Sequence, residues 1–135
     1  QASEAQLAAI RAKGDADTRV AAVEAVAALS EGMPSNQHAM RQAGACEALV
    51  ATLQAAIPRP HISATAVHAI AAVSDGLAAT QNAMRRAGAC EALVRFMRAF
   101  CLHRGSGIAS LAAICSLVPS NAANQMALGQ AGACE

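Results

Sequence analysis

Five cysteines carry the most reactive side chains of this 135-residue sequence. Cys46, Cys90 and Cys134 are spaced 44 residues apart. Layers of packed helices are about 10 Å apart, so these three thiols cannot meet at one zinc ion. Cys101 and Cys115 have no second cysteine or histidine at a ligand spacing. An odd number of cysteines, three of them at one repeated position, also argues against a disulfide framework. We therefore predict buried thiols in a reducing compartment, and no metal or cofactor.

Histidine and serine add little further chemistry. His61 and His68 lie seven residues apart, which suits a weak metal site, although two solvated surface histidines are the simpler interpretation. Ser74 and Asp75 follow His68, but all three fall within one predicted helix and no nucleophile-elbow motif occurs. A phosphate-binding glycine loop and the HExxH pattern are also missing from the sequence. We predict that the protein is not an enzyme.

Formal charge is distributed unevenly along the chain. Residues 1–75 carry a formal charge of −2 and residues 76–135 a charge of +3, which leaves a net charge of +1. So small a net charge argues against a general nucleic-acid binder. A basic patch within residues 76–135 is a candidate contact for phosphate or an acidic partner; the alternative is an ordinary solvated helix face. The patch consists of Arg85, Arg86, Arg95, Arg98 and Arg104.

An eight-residue segment sets the organisation of the chain. Residues 43–50 have the sequence AGACEALV, residues 87–94 repeat it, and residues 131–135 repeat its first five letters. A 44-residue period without strand-like alternation is typical of a helical solenoid. We therefore predict an all-α fold and one domain over residues 1–135, with repeat units at about 4–47, 48–91 and 92–135.

The composition favours helices throughout. The 38 alanines exceed a quarter of the chain, whereas only two phenylalanines and no tryptophan or tyrosine are present. Alanine is the strongest helix former, but it buries little apolar area. Each repeat therefore depends on a few larger side chains, worth roughly 1.5–3 kcal/mol each when fully buried. We expect modest stability for the chain alone.

Apolar periodicity and glycine positions place the helices. We predict a first helix over residues 1–12 that ends at 13–15, a long helix over about 17–30 and a short helix over 36–42, with the same order repeated one period later. Sharp turns are expected where glycine follows each short helix. These glycines are Gly44, Gly88 and Gly132.

Polar and apolar positions recur with the same period. Asn36, Thr80 and Asn124 are predicted to cap the short helices, because their side chains accept hydrogen bonds from free helix N–H groups. Inward positions are predicted from helical spacing. On the long helices they are Val20, Val23, Val26, Leu29, Ala64, Val67, Ile70, Val73, Ile108, Leu111, Ile114 and Leu117, and on the short helices Met40, Met84 and Leu128.

Residues 36–50 have the pattern Asn-Gln-x-Ala-Met-x-x-Ala-Gly-Ala-x-x-Ala-Leu-Val. This pattern, followed by a long alanine-rich helix, resembles the armadillo repeat over essentially the whole chain. Other helical solenoids of similar period lack a diagnostic glycine at this place. The resemblance implies a right-handed α-solenoid of three-helix repeats, in which the long third helices line a concave groove that binds partner proteins.

The groove differs from that of armadillo proteins that bind extended peptides. Those proteins resemble one another in a tryptophan and, one helical turn later, an asparagine on the third helix. Here the matching pairs are Glu24 with Ala28, His68 with Ala72, and Ala112 with Ser116. Binding of import-signal or catenin-type peptides is therefore not expected.

The predicted groove presents small side chains, which allow close approach of a helix, so we expect a helical partner. Compositional bias toward alanine is an equal alternative explanation. The predicted partner-binding residues are Ala21, Glu24, Ala28, Glu31, Thr65, His68, Ala72, Asp75, Ala109, Ala112 and Ser116.

The expected function is a non-enzymatic protein–protein interaction scaffold. The alternative is a structural subunit that associates end to end or packs permanently within a large assembly.

The two ends of the chain resemble complementary halves of one repeat. The acidic first half and the basic second half make head-to-tail self-association physically reasonable. The alternative, which we favour, is that neighbouring repeats continue in a longer protein. No secretory signal or membrane-spanning run occurs in the sequence, and we expect an intracellular, cytoplasmic protein.

Overall fold

A computed structural model of the chain describes residues 7, 8, 10, 16–56, 59–100, 113, 114, 117 and 121–132. These residues form helices and turns and no strand, so the predicted all-α class is confirmed for them. The predicted first helix and its end at 13–15 lie largely outside the described residues, although residues 7, 8 and 10 are helical. The helices with described bounds are α1 (Ala16–Ser30), α2 (Pro34–Gln42), α3 (Ala45–Ala56), α4 (Pro60–Ser74), α5 (Ala78–Arg86), α6 (Ala89–Phe100) and α7 (Ala122–Gln130).

The helices fall into three classes by length. The long helices α1 and α4 have 15 residues each, the middle helices α3 and α6 have 12, and the short helices α2, α5 and α7 have nine. Their first residues are 44 apart within each class, as the period of the sequence predicts. The order short, middle, long is therefore the structural unit that the chain repeats.

Each class of helix packs against its own equivalent in the next unit. The long helix α1 packs along α4, the middle helix α3 contacts α6, and the short helices follow one another as α2, α5 and α7. Within a unit, α3 packs along α4. No unit buries its apolar faces by itself, so stacking is the source of the common core.

The core consists of aliphatic side chains from every class of helix. Leu49 and Leu53 of α3, Ile70 of α4 and Leu93 of α6 are fully buried, and Phe96 is the largest side chain in the interior. The predicted short-helix anchors are confirmed as buried; they are Met40, Met84 and Leu128. Since alanines occupy most of the remaining inward positions, the helices can pack closely around these few large side chains.

The inward prediction is confirmed for most described long-helix positions and wrong for Leu29. Val23, Val26 and Ile70 are at most 1% exposed, whereas Leu29 is 37% exposed. Val73 and Leu117, one and two periods after Leu29, are fully buried. The location of Leu29 on the first long helix of the stack therefore leaves it exposed, since no described long helix precedes α1. Ile108 and Leu111 lie outside the described residues.

The predicted N-caps are also wrong, by three residues. Helix α2 begins at Pro34 and its N-cap is Met33, because proline has a suitable fixed φ and lacks an N–H that the first turn would leave unpaired. Asn36 is thus the third residue of the helix, and Thr80 and Asn124 hold the same place in α5 and α7. Among the three short helices, only α7 has a side-chain cap, in which Asn121 Oδ1 accepts a hydrogen bond from Asn124 N at 3.1 Å.

The asparagines at this third position bind the preceding long helix instead. Asn36 Nδ2 donates to the carbonyl oxygen of Leu29 at 2.7 Å. Asn124 Nδ2 donates to the carbonyl oxygen of Leu117, also at 2.7 Å. The carbonyl of Leu29 lies near the end of α1, where intrahelical donors run out. The Asn36 side chain therefore fastens α2 to the long helix before it, and Asn124 of α7 makes the equivalent bond to Leu117.

A glutamine makes the connection forward in the stack. Gln37 is buried in α2, and its Nε2 donates to the carbonyl oxygen of Ala72 near the end of α4 at 2.9 Å. Gln81 is equally buried at the same position of α5. The short helix α2 thus binds the long helix on either side through Asn36 and Gln37, which fixes the register of stacking.

The glycine turns supply the first prediction. Gly44, Gly88 and Gly132 have φ values of 90°, 94° and 95°, a left-handed conformation that costs other residues about 1–2 kcal/mol. A Cβ at Gly88 would meet its nearest atom, Gln54 Nε2, at an ordinary 3.5 Å. We expect Gly88→Ala to lower the free energy of unfolding, measured by urea denaturation, by about 1–2 kcal/mol, from backbone strain alone.

A matched control is available in α7. Gly129 lies within the helix with no atom within 4 Å of its would-be Cβ. Gly129→Ala should therefore raise the free energy of unfolding by about 0.5–1 kcal/mol. Equal effects of the two substitutions would contradict the assigned role of the turn.

A second prediction concerns Thr80, which replaces the helix-fastening asparagine in α5. Its buried Oγ1 has no hydrogen-bond partner among the described residues. We expect Thr80→Asn to donate to the carbonyl of Val73 and to raise the free energy of unfolding by about 0.5–1.5 kcal/mol. Thr80→Asp has the same shape without the N–H donor and should be less stable than the unmodified chain. Urea denaturation of both variants tests this, and an unchanged or lowered stability of Thr80→Asn would refute it.

Candidate functional site

The predicted partner-binding residues of α1 share one exposed face. Ala21, Glu24 and Ala28 lie at spacings of three and four residues, which places them on one side of the helix, and Glu31 follows in the turn after it. All four are exposed. This face is flanked by the buried positions that pack against α4.

The corresponding residues of α4 continue this face across the neighbouring helix. His68 and Asp75 are exposed and Thr65 is half-buried. Ala72 is only 8% exposed, and its carbonyl oxygen accepts the hydrogen bond from Gln37, so it offers little surface to a partner. We call the described set the long-helix strip: Ala21, Glu24, Ala28, Glu31, Thr65, His68, Ala72 and Asp75. The predicted residues Ala109, Ala112 and Ser116 lie outside the described part of the chain.

The predicted basic patch occupies other elements. Arg85 is half-buried and Arg86 is exposed in the last turn of α5, where positive charge complements the negative end of the helix dipole. Arg95 and Arg98 are exposed one turn apart on α6. The structure thus places these four arginines on short and middle helices rather than on the long-helix strip, and Arg104 lies outside the described residues.

The two described cysteines of the repeat are free thiols in the core. Cys46 and Cys90 have no exposed surface, as predicted. Burial raises the pKa of Cys46 to about 12 and that of Cys90 to about 11, and the nearby carboxylates of Glu47 and Glu91 add to the increase. Cys101, Cys115 and Cys134 lie outside the described residues.

These raised pKa values have a consequence for stability at high pH. An unfolded thiol ionises near pH 9, whereas both buried thiols keep their protons to higher pH. The stability that depends on the neutral thiols is therefore complete below pH 9. It is lost as the pH rises toward 11 and 12, because only the unfolded chain then gains by losing protons.

Ser74, which was considered as part of a catalytic group, makes a structural contact. The hydroxyl of Ser74 donates to the carbonyl oxygen of Ile70 at 2.6 Å and is buried. Arg41 Nη2 donates to His38 Nδ1 at 2.9 Å on the surface. His61 and His68 both lie in α4, and His103 lies outside the described residues. No group of three metal-binding side chains occurs within the described ranges.

A cleft that the sequence did not predict lies between α1 and α3. It has a volume of about 270 Å³ and is lined by Ile10, Arg19, Ala48, Ala51, Thr52 and Ala55. One period later, Arg19 and Thr52 are replaced by Ser63 and the fully buried Phe96. The small threonine thus leaves open a space at a position where the next unit has a large side chain. The available signal in the sequence was that Thr52 and Phe96, one period apart, differ in size.

No described helix is both long enough and apolar enough to cross a membrane.

Comparison with known proteins supports the fold and nothing more specific. No protein-family model matches the sequence, and no curated protein matches it. Two crystal structures of engineered proteins from the Northeast Structural Genomics Consortium are similar in fold, with TM-scores of 0.89 and 0.88 and 21% sequence identity in each case. The alignments cover 98% of this chain, which spans 31% of the first protein and 51% of the second. At this identity the likeness shows a common all-helical architecture.

The buried thiols give a testable prediction. In the folded chain at pH 8, Cys46 and Cys90 should resist alkylation by iodoacetamide, because they are inaccessible and their raised pKa values leave almost no thiolate. Peptide mass spectrometry after timed labelling measures each site separately, and the chain in concentrated guanidinium chloride serves as the fully reactive control. Labelling of Cys46 in the folded chain as fast as in guanidinium would contradict its burial.

Proposed function

We propose that this protein is a non-enzymatic interaction scaffold, an armadillo-like right-handed α-solenoid that binds a helical partner protein on its long-helix strip. The main support is that two adjacent long helices expose the same face at equivalent positions, with Glu24 on α1 and His68 on α4. The sequence pattern at residues 36–50 and the stacking of equivalent helices agree with the armadillo-like architecture.

The small side chains of the strip favour a helical partner over an extended peptide. Ala21 and Ala28 are exposed beside Glu24, so the side chains of α1 next to its carboxylates protrude little from the helix. A partner helix can approach such a surface closely and place its own larger side chains in the grooves between residues. An extended peptide needs side chains that hydrogen-bond its backbone, and the tryptophan and asparagine positions of peptide-binding armadillo proteins hold other residues here.

The charge of the strip indicates what kind of helix it binds. Glu24, Glu31 and Asp75 are exposed carboxylates, and the strip contains no lysine or arginine. Opposite charges across an interface speed association and disfavour wrong partners. The proposed partner is therefore an amphipathic helix that carries lysine or arginine along the face that meets the strip.

The arginines of α5 and α6 form a separate surface in this proposal. Arg86, Arg95 and Arg98 are exposed on helices other than the long ones, so they do not compete with the carboxylates for the same partner helix. An acidic segment or a phosphate group suits them, because guanidinium groups bind both with paired hydrogen bonds.

A pair of synthetic helical peptides tests the function of the strip. Both have leucine along one face, and the other face carries lysine in one peptide and glutamate in the other. Fluorescence anisotropy should show binding of the lysine peptide and little binding of the glutamate peptide. The double variant Glu24→Lys/Asp75→Lys should weaken binding of the lysine peptide at least tenfold, because it replaces attraction by repulsion at two positions, about 1.4 kcal/mol or more.

The double variant Glu47→Lys/Glu91→Lys is the matched control. It changes the net charge equally, but its exposed carboxylates lie at the starts of α3 and α6. Its affinity for the lysine peptide should stay within about threefold of the unmodified chain, since these carboxylates lie on the middle helices and outside the long-helix strip. Equal losses in both double variants would mean that net charge, not the strip, binds the peptide. No binding to the unmodified chain would refute the proposed partner class.

A further inference from the structure

The cleft between α1 and α3 is a space that the next unit fills with a side chain. Its volume is about 270 Å³. Phe96 holds the position of Thr52 one period later and is fully buried on α6, the middle helix that contacts α4. The corresponding space in the next unit therefore takes up a phenyl ring, whereas the side chain of Thr52 ends at a hydroxyl and a methyl group.

The walls of the cleft are mostly aliphatic. Ile10 and Ala48 are buried, and Ala51 and Ala55 are exposed, which leaves one side of the cleft open to solvent among the described residues. Thr52 Oγ1 donates its proton to the carbonyl oxygen of Ala48 at 2.8 Å. The hydroxyl therefore brings no donor to the cleft, and the lining suits an apolar group.

One charged side chain also lines the cleft. Arg19 is half-buried near the start of α1, and the other five lining residues carry no charge. A guanidinium group presents five N–H donors in a planar fork, which fits a carboxylate with two hydrogen bonds. Arg19 already makes an interaction within the chain, and five donors suffice for a second acceptor as well. A guanidinium beside apolar walls favours an anion that is attached to an apolar group.

Charge and open space change together from one unit to the next. Ser63 takes the place of Arg19 one period later, and its hydroxyl donates to the carbonyl oxygen of Arg59 at 2.9 Å. The same unit has Phe96 in place of Thr52. The unit with its own phenyl ring thus lacks the guanidinium, and the unit with the guanidinium has space for a ring.

We propose that the cleft binds a small aromatic monocarboxylic acid. Its ring lies between α1 and α3, in the place that corresponds to the ring of Phe96, and its carboxylate accepts hydrogen bonds from Arg19. An apolar cavity of about 150 Å³ is enough to hold benzene, so a cleft of about 270 Å³ holds a ring, a short linker and a carboxylate. The lining residues are separate from the long-helix strip, so the proposal is independent of what the strip binds.

Titration of the isotope-labelled chain with phenylacetate, followed by heteronuclear NMR, tests the proposal. Saturable shifts should appear at the amide of Arg19 and at the amides of residues 48–55, with a dissociation constant of about 1 mM or below. Acetate lacks the ring and phenylacetamide lacks the negative charge. Each of these two compounds should bind at least tenfold more weakly than phenylacetate, because it satisfies only one part of the site.

Two variants each remove one part of the site. Thr52→Phe fills the cleft from within and should abolish binding of phenylacetate, whereas Thr52→Val keeps the size of the side chain and should leave the affinity within about threefold. Arg19→Gln should weaken binding of phenylacetate at least tenfold and leave that of phenylacetamide unchanged. Arg86→Gln removes an exposed arginine of α5 outside the cleft and is the control, with an affinity within about threefold of the unmodified chain.

Three results would overturn the proposal. They are the absence of saturable shifts with phenylacetate at about 10 mM, equal affinities for phenylacetate and phenylacetamide, and undiminished binding by the folded Thr52→Phe variant. Circular dichroism checks the fold of each variant. If Thr52→Phe does not fold, Thr52→Leu fills part of the same space and should weaken binding at least tenfold; unchanged affinity in that variant would count against the site equally.

Discussion

The contact between each helix and its equivalent one period later is the interaction on which the rest of the structure depends. A unit of one short, one middle and one long helix is too small and too rich in alanine to enclose a core by itself. The long helices bury their inward faces only because α1 packs along α4, and the short helices follow the same rule. Stability, register and the exposed surfaces are therefore properties of the stack and not of a single unit.

Polar side chains fix how the units stack, whereas apolar side chains provide most of the driving force. Alanine and valine surfaces can slide along one another at small cost, but a buried amide that loses its partner cannot. Gln37 and Asn124 each donate from a short helix to the carbonyls of neighbouring helices. The carbonyl of Ala72 lies near the end of α4, where other donors are few, and these bonds together define one register for the stack.

The same repetition explains which surfaces are available for partners. The exposed positions of the long helices carry alanines and carboxylates, such as Ala21 and Glu24, whereas other alanines of the same helices fill the core. The outer face of the long helices is therefore acidic and carries few large side chains. Leu29, Met33 and Met126, by contrast, are large apolar side chains that stay exposed among the described residues.

The sequence by itself determined the helical class, the period of 44 residues, the positions of the turn glycines and the burial of Cys46 and Cys90. All of these depend on residue type and spacing along the chain, which local backbone geometry and apolar periodicity translate directly. Only the tertiary structure decided that Asn36 and Asn124 fasten a short helix to the preceding long helix instead of capping the short helix. It also decided that Ala72 is covered, that Leu29 is exposed, and that a cleft lies beside Thr52. Each of these depends on which helix lies alongside, and a repeating sequence gives equivalent residues the same local signal whether or not a neighbour covers them.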